Sequence, residues 1–136
     1  MSSQINVDTI VDKAGSGGTN VKVANTSTYV SDGGAVTQNL VQGVAKVWAK
    51  LSDAGVTQDS LNVSSTTETS TALYTITINN DMNDTNYSLT LGTHYAELIA
   101  INSVATGSYA LRTFERADSL SNNDQITHSV IHGDLA

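Results

Sequence analysis

The stretch "GVAKVWAK", residues 43–50, holds the single tryptophan of the chain, and its conformation decides how the flanking sequence is interpreted. Two conformations fit it. As a strand, its apolar face would consist of Ala45, Val47, Ala49 and Leu51. As a helix extended back to residue 40, its apolar face would consist of Leu40, Val41, Val44, Val47, Trp48 and Leu51. Gly43 disfavours the helix by about 1 kcal/mol relative to alanine, but periodicity alone permits both structures.

The composition of the whole chain favours strands. Ser, Thr and Asn number 16, 18 and 12 among 136 residues, whereas only 14% of the residues are charged. Thr, Val and Ile fit pleated, half-buried surfaces, and Asn, Asp, Ser and Gly supply turns. A chain of this length is expected to form one domain with a modest core. We therefore expect a mostly β protein.

The second half of the chain reads as short strands between turns. "DSLNVSS" leads to "TALYTITI" and "YSLTLGTHY", and the last two carry apolar residues at every second position: Tyr74, Ile76 and Ile78, then Tyr87, Leu89 and Leu91. The turn cluster "NNDMNDTN" between them predicts a hairpin. Further strands follow in "ELIAINSVA", "GSYALRTFERA" and "ITHSVIHGDLA". About seven short strands indicate a sandwich or a barrel, and we expect an antiparallel β-sandwich head over residues 35–136.

Residues 1–34 differ from this head because their apolar pieces are short and are separated by "AGSGG" and "DGG". Such a segment is either a flexible arm or a strand donor that becomes ordered on a neighbouring surface. Its first third is more apolar than a solvated tail requires. We therefore expect an extended N-terminal attachment arm whose anchoring residues are Ile5, Val7, Ile10 and Val11.

The charge of the chain excludes two classes of partner. A net charge of −7, with four Lys and two Arg, leaves no basic stripe for nucleic acid or anionic lipid. No stretch approaches the ~20 apolar residues of a membrane span, so we expect no membrane insertion. The absence of cysteine excludes disulfides and thiolate zinc sites. Cohesion must then come from packing or from association between chains.

No pattern typical of catalysis or of cofactor binding stands out. There is no G-x-S-x-G elbow, and "AGSGGTN" lacks the G-K-[ST] ending of a phosphate-binding loop. "DMNDTNYSLTLG" begins at calcium-loop spacing but lacks the glycine at its sixth position and the final glutamate, so it predicts a β-turn. His128 and His132 share strand parity about 13 Å apart, so a metal would need three copies of one histidine on a threefold axis. We expect neither an enzyme nor a cofactor.

Four motifs follow one another along the chain: "G-x-A-K-x-W", "D-S-x-N-V-S-S", "Y-T-I-T-I-x-x-x-M-x-D-x-x-Y" and "V-x-H-G-D-L-A", at residues 43–48, 59–65, 74–87 and 130–136. In this order they resemble a module of fibre and fibre-like virion proteins of tailed phages, particularly marine ones. There the first motif commonly reads "AKAWVNF" and the last "VFGDLA", so His132 replaces a usual aromatic or apolar residue. The opening "INVDTIVDKAGSGG" also resembles a segment at the head or along the shaft of such fibres.

The resemblance implies a strand from Val44 to Leu51 with a short helical or extended lead before Gly43. It also implies a homotrimer, which suits a chain whose core is thin for its length. Trp48 would pack on the core or on the neighbouring subunit, or it would lie beside the stems of the neighbouring lysines on an outer face at a subunit boundary. The remaining alternative is an exposed Trp48 that contacts a glycan. The candidate residues of the subunit interface are Leu40, Val41, Val44 and Trp48.

The function implied by the resemblance is that of a structural protein located in the virion, a trimeric fibre or fibre-like appendage. Its arm would bind other virion proteins, and its head would present Ser, Thr, Asn and Tyr side chains to a host surface glycan or protein. An alternative is a capsid-decorating or connecting protein with a purely structural role. A third interpretation is a free carbohydrate-binding module.

Overall fold

The fold consists almost entirely of antiparallel strands. The computed structural model describes residues 27–30, 37–95, 97–115 and 121–136. Its elements are β1 (Thr28–Val30), β2 (Thr37–Asn39), α1 (Leu40–Gly43), β3 (Ala45–Leu51), β4 (Thr57–Leu61), β5 (Val63–Ser70), β6 (Leu73–Ile78), β7 (Ser88–Thr93), β8 (Leu98–Ala105), β9 (Ser108–Phe114) and β10 (Thr127–His132). The predicted all-β class is confirmed.

The strands from β3 to β10 form two four-stranded sheets. Sheet I has the strand order β4-β3-β10-β7, and sheet II has the order β5-β6-β9-β8. One apolar core lies between them and draws its buried side chains from both sheets: Val47, Ala49, Leu51 and Ile131 from sheet I, and Tyr74, Ile76, Ile78, Tyr109 and Leu111 from sheet II. The predicted antiparallel sandwich is therefore confirmed, with eight strands rather than about seven.

The tryptophan-containing stretch forms strand β3, which is preceded by the short helix α1. The Asn39 side chain caps α1, because its Oδ1 accepts a hydrogen bond from the backbone N–H of Gln42 at 2.8 Å. The helix ends at Gly43, and β3 then buries every second residue beginning with Val47. Alternation places Trp48 on the outer face of sheet I, where it is half-buried. Packing of Trp48 on the core of its own sandwich is therefore wrong. The ring lies on the outer face, and a subunit boundary at this position stays a prediction.

A small two-stranded sheet precedes α1. β1 pairs with β2 in antiparallel register, with Tyr29 opposite Gln38. The backbone N–H of Leu40 donates to the carbonyl of Ser27 at 2.8 Å, which ties this sheet to α1. The predicted boundary between residues 34 and 35 lies outside the described residues. So do the candidate anchoring residues Ile5, Val7, Ile10 and Val11.

The predicted hairpin between residues 73–78 and 87–91 is wrong. β6 pairs with β5 and β9 in sheet II, whereas β7 pairs with β10 in sheet I. The connection crosses between the sheets because Met82 inserts its side chain into the core, where it is 1% exposed. Its backbone N–H donates to the carbonyl of Thr106 at 2.9 Å. A residue anchored in this way turns the expected hairpin loop into a crossover.

A single residue carries the chain from β4 in sheet I to β5 in sheet II. Asn62 has a φ of 57°, a left-handed conformation that asparagine tolerates better than most residues. Its Oδ1 accepts from the backbone N–H of Asn80 at 2.7 Å, and its Nδ2 donates to the carbonyl of Asn80 at 3.0 Å. The backbone N–H of Asn79 donates to the carbonyl of Asn62 at 3.0 Å. These contacts close one edge of the sandwich.

Candidate functional site

Three segments meet at the end of sheet I where β3 and β7 begin and β10 ends. In the strand register, His132 lies opposite both Ala45 and Ser88. Helix α1 precedes β3, a turn-rich loop precedes β7, and the C-terminal residues follow β10. The register therefore brings three segments that are distant in sequence to one end of the molecule.

The C-terminal residues are held against the crossover loop by backbone hydrogen bonds. Leu135 forms an isolated antiparallel bridge with Met82. The backbone N–H of Asn83 donates to the carbonyl of Asp134, and that of Ala136 donates to the carbonyl of Asp81, both at 2.9 Å. The "HGDLA" motif thus fixes the position of the loop at the end of the sandwich.

The glycine of this motif is required by close packing. A Cβ atom at Gly133 would lie 2.9 Å from Cβ of Tyr87 and 3.0 Å from Cε of Met82, closer than ordinary carbon contacts. The hydroxyl of Tyr87 donates to the carbonyl of Ala105 at 3.0 Å, and burial raises the pKa of this phenol. Gly133 therefore allows the crossover loop to pack directly on the end of β10.

An open cleft of about 410 Å³ lies where these segments meet. Its lining is polar and comes from all three of them: Gln42, Asp84, Asn86, Ser88, His132, Gly133 and Asp134. Amides, carboxylates, an imidazole and a hydroxyl provide both donors and acceptors at neutral pH. Such a lining suits a neutral ligand rich in hydroxyl or amide groups.

Asp134 is the most constrained polar side chain of the cleft. Its Oδ2 accepts a hydrogen bond from Nε2 of Gln42 at 3.1 Å, which ties α1 to the end of β10. Its Oδ1 is buried and has no hydrogen-bond partner within the described part of the chain. A buried carboxylate oxygen is costly to leave without a donor, so a donor group in the cleft would stabilise it.

The ammonium group of Lys46 binds backbone carbonyls at the end of α1 instead of facing the solvent. This side chain is buried, and its Nζ donates to the carbonyls of Val41 and Val44, the latter at 2.9 Å. Burial lowers the pKa of Lys46, and the charge of Asp134 offsets this in part. The ammonium group therefore satisfies carbonyls at the C-terminal end of α1.

The four candidate interface residues fall at two places. Leu40, Val41 and Val44 lie together at α1, where Leu40 and Val44 are exposed and Val41 is half-buried. Trp48 lies further along β3, between Leu61 and Val130 of the adjacent strands. The fold thus places an aromatic ring on the outer face of sheet I, apart from the apolar side chains of the helix.

The two histidines of β10 share one face of the strand, as their parity predicted, and the buried residues that alternate with them show that this is the outer face of sheet I. His128 is opposite Lys50 and Gly92, whereas His132 lines the cleft. Across the described ranges, no cluster of three or more His, Asp or Glu side chains is placed to hold a metal ion.

The cleft as a whole was not predicted from the sequence. His132, Gly133 and Asp134 stood out because they belong to a recognisable motif. Asp84 belongs to the third motif, but nothing linked it to the cleft. Gln42 and Asn86 gave no signal, because more than forty residues separate them and no local pattern connects them. Only the pairing of β3 and β7 with β10 brings them together.

The comparisons with family models, with curated proteins and with solved structures give no match to this chain. Within the residues that the structure describes, no helix has the length and apolar character needed to cross a membrane.

Proposed function

We propose that this chain is a structural virion protein of a tailed phage, a subunit of a trimeric fibre or fibre-like appendage that attaches the particle to its host. The observation that carries the proposal is that the four motifs behind the resemblance form one structural unit. Trp48 of the first motif lies opposite Leu61 of the second and Val130 of the fourth. Motifs that contact one another in this way behave as one module.

The remaining contacts complete this unit. Asn62 of the second motif binds Asn80 of the third through both of its side-chain polar atoms. Met82 of the third motif forms a bridge with Leu135 of the fourth. Every motif therefore touches at least one other, although together they span residues 43–136. Chance similarity of short sequences would not require such an arrangement.

Recognition of a neutral, hydroxyl-rich surface is the activity that the polar cleft supports best. The cleft offers amide, hydroxyl and carboxylate groups on a chain with few cations. Host surface glycans carry many hydroxyl groups that both donate and accept hydrogen bonds. Binding through such groups requires no nucleophile and no cofactor.

Attachment of the subunit to the particle falls to the arm, residues 1–34. Its apolar residues Ile5, Val7, Ile10 and Val11 provide the contact with other virion proteins. Replacing Ile5 and Val7 by aspartate in the full chain should abolish incorporation into particles and leave the fold of the head unchanged by circular dichroism. Replacement of Val21 and Val23 is the matched control within the same arm.

Labelling of purified particles tests the proposal directly. Antibodies raised against the isolated chain should decorate a tail or fibre appendage in electron micrographs, and adsorption of the antibodies with the chain should remove the label. Label spread over the capsid would favour a decorating or connecting protein instead. Intact particles that carry no label would contradict a virion role.

The mass of the purified chain tests the trimer separately. Light scattering should give about 43 kDa at micromolar concentration, three times the 14.2 kDa of one chain. A folded species of monomer mass under these conditions would contradict the trimer, whatever the labelling shows.

A further inference from the structure

The apolar core of the sandwich thins out from β9 to β8: on β8, Ile99 packs against the core, whereas Ile101 and Val104 are half exposed. Leu111 on β9 is 0% exposed, whereas Ile101, its partner on β8, is 49% exposed. Tyr109 on β9 is 1% exposed, whereas its partner Val104 is 42% exposed. All four side chains point to the same side of sheet II, so β8 extends beyond the part of sheet I that covers its neighbour.

The edge to which β8 belongs carries no charged residue in its strands. β7 and β8 contain no Asp, Glu, Lys or Arg, whereas β4 and β5 at the opposite edge contain Asp59 and Glu68. Exposed edge strands of natural proteins usually carry charges or proline that prevent association with other chains. An eight-residue edge strand with six apolar and no charged residues is consistent with a surface that is covered in the assembled protein.

The charge of the whole chain limits where identical copies can meet. Each copy carries a net charge of −7, so identical copies repel one another over most of their surface. Burying charges against a second copy would add a desolvation cost. Contact between copies is therefore most favourable where strands carry no charge, and within the two sheets of the sandwich the β7 and β8 edge combines this property with exposed apolar side chains.

A bulge in β8 favours contact through side chains over pairing of its backbone with another strand. The register of β8 shifts between Ile101 and Ser103, which interrupts the ladder on an edge strand. Bulges of this kind disfavour simple extension of a sheet by another strand. The side chains of Ile101 and Val104 remain available for packing.

We infer that the inner face of β8, centred on Ile101 and Val104, is the surface through which copies of this chain pack against one another. This inference deepens the proposed function and rests on the proposed trimer. Three copies that meet through this face would enclose Ile101 and Val104 in a shared apolar core. The subunit interface would then lie at the open edge of the sandwich rather than at α1 and Trp48.

Cysteine cross-linking tests the inference, since the chain has no cysteine of its own. In the Ile101→Cys variant, a trifunctional maleimide should join three chains into one covalent band. The control variant Val56→Cys places an exposed cysteine at the opposite edge and should give only background cross-linking. Equal cross-linking of the two variants, or none at position 101 while light scattering still reports a trimer, would overturn the inference.

A charge substitution provides an independent measurement. Val104→Asp should lower the mass in light scattering from about 43 kDa to about 14 kDa, whereas Val56→Asp should leave the trimer intact. A folded Val104→Asp trimer would overturn the assigned interface and leave the proposed trimer standing. A wild-type monomer would overturn both, and the labelling of particles would still test the virion role separately.

The N-terminal arm is the competing occupant of this surface. In the full-length Val7→Cys/Ile101→Cys variant, our inference predicts no disulfide between the two positions under mild oxidation. A disulfide between them, together with the absence of three-chain products in the Ile101→Cys variant, would assign the surface to the arm and overturn contact between the heads.

Discussion

At one edge of the sandwich β4 and β5 are joined by polar contacts, whereas at the opposite edge β7 and β8 leave apolar side chains half exposed. The closed edge turns through Asn62, and beyond it Oγ1 of Thr57 lies 2.9 Å from Oγ1 of Thr66, within hydrogen-bond distance. At the open edge, Ile101 and Val104 face inward, and none of the described strands covers them. One edge is complete within a single chain, and the other has apolar surface left to bury.

The difference between the edges shows that strand order alone does not determine where a core ends. Both edges consist of two outermost strands from opposite sheets. The closed edge forms hydrogen bonds between side chains and backbone of the two sheets, which need no further partner. The open edge depends on apolar burial, which remains incomplete until another surface covers it.

The largest expected effect compares two leucine-sized residues that lie opposite each other on β9 and β8. Leu111→Ala should lower the free energy of unfolding by about 3 kcal/mol, because it leaves a cavity in a fully buried site. Ile101→Ala should cost about 1 kcal/mol in the isolated subunit, since half of its side chain is already in water. Urea denaturation at low protein concentration measures both. Equal costs would contradict the thinning of the core from β9 to β8.

The closed edge can be weakened at its corner. Asn62→Ala should cost about 2–3 kcal/mol, because it removes the hydrogen bonds to Asn80 and places alanine in a left-handed conformation. Asn62→Gly is the matched control, which removes the same bonds but tolerates the backbone conformation, and it should cost about 1 kcal/mol less. Thermal unfolding of both variants separates the two causes, and identical losses would argue against backbone strain at this corner.

Alkaline pH should weaken a contact beside the open edge. Burial raises the pKa of Tyr109 to about 12, and the hydrogen bond with Ser129 lowers it in part. In an unfolded chain a tyrosine ionises near pH 10, so its contribution to stability is complete below pH 10. It is lost as pH rises from 10 to 12, because the unfolded state releases the proton first. The expected loss from this group is about 2 kcal/mol.

Tyr109→Phe should remove that part of the alkaline decline, which urea unfolding between pH 9 and 12 would measure. Tyr74, which lies nearer the closed edge, is a second buried phenol with which Tyr109 can be compared. Burial also raises its pKa to about 12, and its hydroxyl donates to the carbonyl of Asp53 in the β3–β4 turn. A Tyr109→Phe variant with the same slope as wild type would show that this phenol does not control the alkaline transition.

The strands β6, β7 and β8 could be predicted from the sequence, but the change of sheet between β4 and β5 and the exposure of β8 could not. Alternation in "TALYTITI" identified the buried face of Tyr74, Ile76 and Ile78, because each residue repeats the pattern locally. "ELIAINSVA" is equally apolar and contains β8, yet its inner face is half exposed. Whether a strand is covered depends on how far the opposite sheet extends, and no local pattern encodes that.

The cleft and the crossover between the sheets could not be predicted from the sequence, because both depend on contacts between distant residues. The hairpin prediction failed because the turn-rich loop contains Met82, whose burial depends on a core assembled by other strands. The cleft residue Gln42 gave no signal because its partner Asp134 is 92 positions away. The strand at residues 45–51, by contrast, could be predicted with the help of the motif resemblance, since a glycine and a fixed alternation mark its start.

The smallest expected effects come from isosteric exchanges at the two edges. Thr57→Val removes one partner of the contact between Thr57 and Thr66 and should cost about 0.5 kcal/mol. The cost is small because Oγ1 of Thr66 keeps a bond to the carbonyl of Gly55 at 3.0 Å.

Val104→Thr adds a hydroxyl to a half-exposed side chain that water already reaches. It should change the stability of the isolated subunit by less than about 0.5 kcal/mol but weaken association, because the hydroxyl would be buried without a partner at the subunit contact. Urea unfolding compared with light scattering over a dilution series separates the two properties. If Thr57→Val weakened association while Val104→Thr left it unchanged, the roles assigned to the two edges would have to be exchanged.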